Sequence, residues 1–139
     1  MITELKHFNE ILQFRAQNQA DQIAYRFLRD GDTDEITLTY AELYRRARLI
    51  AAEIQSKAEL NERVVLLYEP GLEFICCFYA CLLAGVIAVP CYPPNPGQLA
   101  ASLAKLELLI QDASPKLICC SSRVLTLLRM SQIKGAVSG

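Results

Sequence analysis

Arg63-Val64-Val65-Leu66-Leu67-Tyr68, closed by Glu69-Pro70-Gly71, opens the stretch that decides the fold, and Leu83-Ala84-Gly85-Val86-Ile87-Ala88-Val89-Pro90 ends it. Positions 64–68 form a short continuous apolar run, the pattern of a strand covered on both faces. Pro70-Gly71 stops that strand, and a helix is predicted over residues 72–83. Gly85 ends the helix. Residues 86–89, three of them β-branched, then read as a second buried strand.

Residues 74–89 carry no charge, which raises the alternative of a membrane span. A spanning helix needs about twenty apolar residues; this run has sixteen and is bounded by Glu73. Its break at Gly85, followed by β-branched residues and Pro90, is helix-then-strand grammar. No membrane span is expected.

Downstream, Pro90-Cys91-Tyr92-Pro93-Pro94-Asn95-Pro96-Gly97 holds four prolines in eight residues, so it cannot be helix interior or central strand. Leu99, Leu103, Leu106, Leu109 and Ile110 restart a helical period that Pro115 stops. Leu117-Ile118-Cys119-Cys120 reads as a third buried strand, and either Ser121 or Ser122 can cap a last helix reaching about Met130. Upstream, Leu5, Phe8, Ile11 and Leu12 predict a first helix over 3–18, broken at Asn18-Gln19-Ala20-Asp21. Ile23, Tyr25 and Phe27, then Ile36 and Leu38, alternate around the turn-forming Arg29-Asp30-Gly31-Asp32-Thr33-Asp34, which predicts a hairpin added to the sheet. Thr39 with Glu42 fits a capping box, and Leu43, Ala47, Ile50, Ala51 and Ile54 form one apolar helix stripe. Arg45, Arg46, Arg48 and Glu53 lie opposite and read as a solvated face.

Three buried strands separated by helices imply parallel crossovers. The expected fold is α/β: a layered, mostly parallel sheet flanked by helices, with an N-terminal β-hairpin. With 139 residues, 53% hydrophobic and 21% charged, the chain is one domain or part of one and is not disordered. Lys+Arg of 14 against Asp+Glu of 15 gives a net charge of −1. No basic stretch interleaves with aromatics, so nucleic acid is not an expected partner. The start lacks the order of a secretion signal, which makes a cytoplasmic location the expectation.

Six cysteines invite a zinc or disulfide reading. Cys76, Cys77 and Cys81 share one apolar run, Cys119 and Cys120 are adjacent, and Cys91 stands alone. None form a C-x-x-C pair, and the one histidine, His7, is distant in sequence. They are expected to be reduced, buried and metal-free. His7, with no nearby Ser or Cys partner, reads as a surface residue rather than a base. No residue of the chain is put forward as catalytic, cofactor-binding or metal-ligating.

Leu38-Thr39-Tyr40-Ala41-Glu42-Leu43 and the segment from Leu83 to Pro90 resemble the first two core motifs of the adenylate-forming superfamily: acyl-CoA synthetases, adenylation domains and luciferases. Gly71-Leu72-Glu73-Phe74 and Val89-Pro90-Cys91-Tyr92-Pro93-Pro94 resemble, within it, the fatty acyl-AMP ligases. Asp112-Ala113 before Pro115 also fits. The resemblance runs from Phe8 to about Leu128. It departs at Asn61-Glu62, where the family usually has glycine, and at the adjacent cysteine pairs.

The resemblance implies that residues 1–139 are a partial N-terminal subdomain of an AMP-binding domain. The parent would use ATP and Mg²⁺ to turn a fatty acid into its acyl-adenylate, then pass the acyl group to an acyl carrier protein, often in polyketide or lipopeptide assembly. The family's phosphate loop, Mg²⁺ ligand, ribose-binding aspartate and C-terminal lysine would all lie beyond residue 139. The chain itself has no G-x-x-x-x-G-K-[ST] and no G-x-G-x-x-G; its Gly135-Ala136-Val137-Ser138-Gly139 is expected to fray. The chain alone is therefore expected to be inactive, to need no cofactor and to self-associate through apolar surface. The alternatives are an acyl-CoA ligase and a non-catalytic α/β binding or scaffold module.

Overall fold

The structure, a computed structural model, describes residues 5–131 and 136–138. Helix α1 (Phe8–Asn18) leads into strands β1 (Ile23–Leu28) and β2 (Glu35–Thr39), then helix α2 (Tyr40–Gln55). Strand β3 (Arg63–Leu67), helix α3 (Leu72–Ala84), strand β4 (Ile87–Cys91), helix α4 (Leu99–Ala113), strand β5 (Leu117–Cys120), helix α5 (Ser122–Met130) and strand β6 (Ala136–Ser138) follow. The last four strands form one parallel sheet in the order β4-β3-β5-β6.

The periodicity of β3 organises both layers. Val64 and Leu66 point to one face, where Leu117 and Cys119 of β5 join Ala47, Ala51 and Ile54 of α2 and Cys77, Ala80, Cys81 and Ala84 of α3. Val65 and Leu67 point to the other, against Ile118 and Cys120 of β5, Leu106 of α4, and Val124 and Leu128 of α5. The chain steps from β3 to β4 through α3, then back across β3 to β5 through α4. Because such crossovers keep one hand, reversing direction moves the helix to the opposite face. That reversal produces the two layers.

Local chemistry sets the boundaries. Thr39 Oγ1 accepts the Glu42 amide at 3.2 Å and the Glu42 carboxylate accepts the Thr39 amide at 2.9 Å, so the expected capping box forms. Gly85 closes α3 at φ 74°, a left-handed position where a Cβ would lie 2.5 Å from Leu60 Cδ2. Asn61 takes φ 65°, so asparagine serves in the left-handed turn ahead of β3. Among the described residues no helix is long and apolar enough to cross a membrane.

Several expectations need correction. The hairpin is not added to the main sheet; β1 and β2 form their own two-stranded antiparallel sheet. It is held instead by Leu38, packed with Leu12, Leu43 and Cys76, and by a 3.0 Å hydrogen bond between the Tyr25 and Tyr79 hydroxyls. The second strand runs Ile87–Cys91 rather than 86–89 and is not buried on both faces, since Ile87 is 46% exposed. It is an edge strand, and that is why Pro90, which has no amide hydrogen to donate, fits inside it opposite Leu66. Helix α1 starts at Phe8, capped at His7; residues 3 and 4 of the predicted segment lie outside the described ones. The segment expected to fray contains Ala136–Ser138, which pairs with Ile118, Cys119 and Cys120; Gly135 and Gly139 lie outside the described residues.

Since Leu66 and Leu67 are both fully buried but on opposite faces of β3, Leu66→Ala and Leu67→Ala should each cost about 2–5 kcal/mol. Urea unfolding checks this. A near-neutral result for either would mean that its face of the sheet is open.

Candidate functional site

In open α/β sheets the crevice for ligands lies beyond the carboxyl ends of the strands, where the strand order reverses. Here the reversal falls between β3 and β5. Tyr68 and Glu69 leave β3 there, and Ser121 leaves β5. Ser121 Oγ donates to Glu69 Oε2 at 3.0 Å and accepts the Val124 amide at 3.3 Å, so a single buried hydroxyl caps α5 and holds the carboxylate. Of the two candidate caps it is Ser121 that acts; Ser122 is the first helical residue.

Beside Glu69, over the ends of β3 and β4, lies an apolar cavity of about 420 Å³. Its walls are Tyr68, Pro70 and Phe74 on one side and Pro90, Cys91, Tyr92 and Pro93 on the other. The proline run that follows β4 thus builds a wall. Tyr92 is 93% exposed at its rim, while Pro94 is buried. Asn95 turns the chain into α4 by accepting the Gly97 amide at 2.9 Å.

Tyr68 also lies above a group of thiols. Its hydroxyl is buried without a hydrogen-bond partner of normal geometry, and desolvation pushes its pKa far up. Hydrogen bonds from Cys119 and Cys81 converge on Cys77 and favour its thiolate, while burial opposes it. Cys81 and Cys119 are pushed well up by their bonds to Cys77 and by burial. Cys77, Cys81 and Cys119 are all buried in the core, a setting of small apolar side chains rather than of an accessible nucleophile. Burial pushes Cys120 to about 11. Cys76 is raised by burial, against the pull of the neighbouring Arg46 guanidinium.

All six cysteines are unbridged, and five are buried. Cys91, expected to be buried, is only half-covered because its strand is at the edge. Among the described residues no group of three or more His, Cys, Asp or Glu is arranged to hold a metal ion. His7 caps α1, with its amide donating to Glu10 Oε2 at 3.3 Å, and stays exposed. A nucleoside triphosphate needs cations and convergent amides. The crevice offers the Glu69 carboxylate, and among the described residues no arginine or lysine lines its cavity. These residues do not fit a triphosphate.

The Ser121–Glu69 bond joins residues 52 apart in sequence and carries no sequence signal beyond Ser121 as a cap. The cavity was signalled only by its prolines.

The AMP-binding enzyme family profile matches residues 12–137. Over 109 residues the chain is 43% identical to the medium-chain-fatty-acid–acyl-carrier-protein ligase JamA of Moorena producens, covering 78% of this chain and 18% of that protein. Over 130 residues it is 37% identical to Disco-interacting protein 2 homolog B of Homo sapiens, covering 92% of this chain and 8% of that one. The fold resembles a fatty acyl-adenylate ligase from L. pneumophila, solved with acyl adenylate and pyrophosphate. The TM-score is 0.86 at 29% identity, over 98% of this chain and 24% of that one. The chain spans under a fifth of the length of these curated relatives.

Two outcomes are expected at this site. Ser121→Ala removes both the cap and the hold on Glu69, and should lower stability by about 1–2 kcal/mol in denaturant titration. With a thiol reagent, Cys91 should react first in the native chain and all six cysteines after unfolding. Zinc retained at one equivalent, or a disulfide by mass, would contradict the assignment.

Proposed function

The chain belongs to the AMP-binding enzyme family, and from that premise we propose that it is the front part of an enzyme that activates a fatty acid as its acyl-adenylate. The parent would consume ATP with Mg²⁺, release pyrophosphate and hand the acyl group to an acyl carrier protein in the cytoplasm. The observation that carries this reading is the agreement of sequence and fold in one frame. Gly71-Leu72-Glu73-Phe74 starts α3, residues 89–94 form the proline wall at the end of β4, and both lie in a chain similar to acyl-carrier-protein and acyl-adenylate ligases.

In that reaction the fatty acid carboxylate attacks the α-phosphorus, a P–O bond forms, and the bond to pyrophosphate breaks. Cations and backbone donors must stabilise the charge that develops. The part played by residues 1–139 is architectural: they supply one sheet of the domain and the cavity wall. Their exposed apolar groups, Leu108 and Leu109 on α4 and Met130 on α5, are the surface through which the isolated chain would self-associate.

A second reading is a binding module that has kept the fold without the chemistry. The likeness to Disco-interacting protein 2 homolog B, whose name describes an interaction, favours it.

Joined to the rest of its reading frame, the chain should support fatty-acid-dependent pyrophosphate release. Alone, given ATP, Mg²⁺ and a medium-chain fatty acid, it should release none above a protein-free control. Release that depends on an amino acid instead, or none from the whole frame, would favour the other readings.

A further inference from the structure

Helix α2 carries two stripes. One is the buried set that faces the sheet; the other is exposed at Arg45, Arg48, Leu49 and Ala52 and half-buried at Ala41 and Tyr44. Ala41, Tyr44, Arg45, Arg48, Leu49 and Ala52 recur at steps of three, one, three, one and three, which aligns them along one side of a helix. Together with Ala16 of α1 they line a groove of about 490 Å³ between the two helices.

The chemistry of this groove is specific. Ala41, Ala52 and Ala16 leave room for another backbone to come close. Leu49 is 63% exposed, an apolar knob in the stripe. Arg48 lies over the Tyr44 ring at 5.6 Å, which pre-orders its planar guanidinium. Arg45 and Arg48 are exposed, and among the described residues neither has a carboxylate within ion-pair distance. Of the nearby acids, Glu42 is committed to Thr39 in the cap and feels Arg45 and Arg46 only through space, without an ion-pair contact, and Glu53 pairs with Lys57.

We infer that the α1–α2 groove is a docking site for an acidic amphipathic helix of a partner protein. The small residues accept a helix at close range, Leu49 meets its apolar side, and Arg45 and Arg48 meet carboxylates one turn apart on its rim. This is helix-in-groove recognition with charge complementarity setting the register. Three turns of α2, about 16 Å, are available, so the partner helix needs about ten to twelve residues. A nucleic acid fits less well, because the groove itself is lined by two guanidinium groups beside an exposed leucine and three alanines and belongs to a chain of net charge −1. The inference does not depend on the ligase reading.

The test measures binding of a synthetic amphipathic helix with glutamates four apart flanking leucines, against the same peptide with glutamine for glutamate. The acidic peptide should bind at low salt and weaken as salt rises. The glutamine peptide, and the acidic peptide on Arg45→Glu/Arg48→Glu, should each bind at least ~10-fold more weakly. Arg45→Gln/Arg48→Gln gives a milder variant, and far-UV circular dichroism with unchanged Tm confirms that the variants fold. The proposal is overturned if the acidic peptide does not bind, if both peptides bind alike, or if the arginine variants leave binding unchanged. It is also overturned if heparin competes at equal charge and binds more tightly, or if a dimer of this chain occupies the groove in place of the peptide.

Discussion

Four consecutive side chains of β3, from Val64 to Leu67, have no exposed surface, and a strand in that condition needs a layer of helices on each side. At about 1.5–3 kcal/mol for each fully buried aliphatic side chain, leaving either face open would forfeit a large part of the stability of an ordinary domain. Most of the remaining topology answers this requirement. Helices α2 and α3 cover one face, α4 and α5 the other, and the chain reverses direction across β3 to reach both.

The same reversal makes the crevice. It brings the ends of β3 and β5 together, so that Ser121 meets Glu69, and it leaves β4 at the edge, where Pro90 is tolerated. The proline run after β4 is then free to build the cavity wall that Tyr92 rims. The buried thiols beneath it, Cys77, Cys81 and Cys119, act as small apolar spacers where α3 meets the sheet. Space there is tight: α3 approaches β3 through Ala80, Cys77, Cys81 and Ala84, all of them small.

Much of this was legible in the sequence because the signals are local. The capping box at Thr39 and Glu42, the stop at Gly85, the strand at 64–68 and the last strand at 117–120 each follow from the preferences of a few adjacent residues. What was not legible is relational. Nothing in Val86 to Val89 says whether that strand is central or at an edge; the neighbour β3 decides, and Pro90 was read as a boundary when it marks an edge. Nor does the alternation of β1 and β2 say which sheet they join, because their single fully buried anchor, Leu38, packs on helices rather than on a strand. The candidate site was the least legible part, since Ser121 and Glu69 meet only through the fold. The pairing of Ala136–Ser138 with β5 was not legible because three residues, Ala-Val-Ser, are too few to show a strand pattern.

Native-state hydrogen exchange tests most directly the claim that β3 is the doubly covered centre on which the rest depends. The amides of β3 and β5 should exchange only through global unfolding, while those of β1 and β2 exchange through smaller openings. Exchange in β3 as fast as in the hairpin would contradict the account.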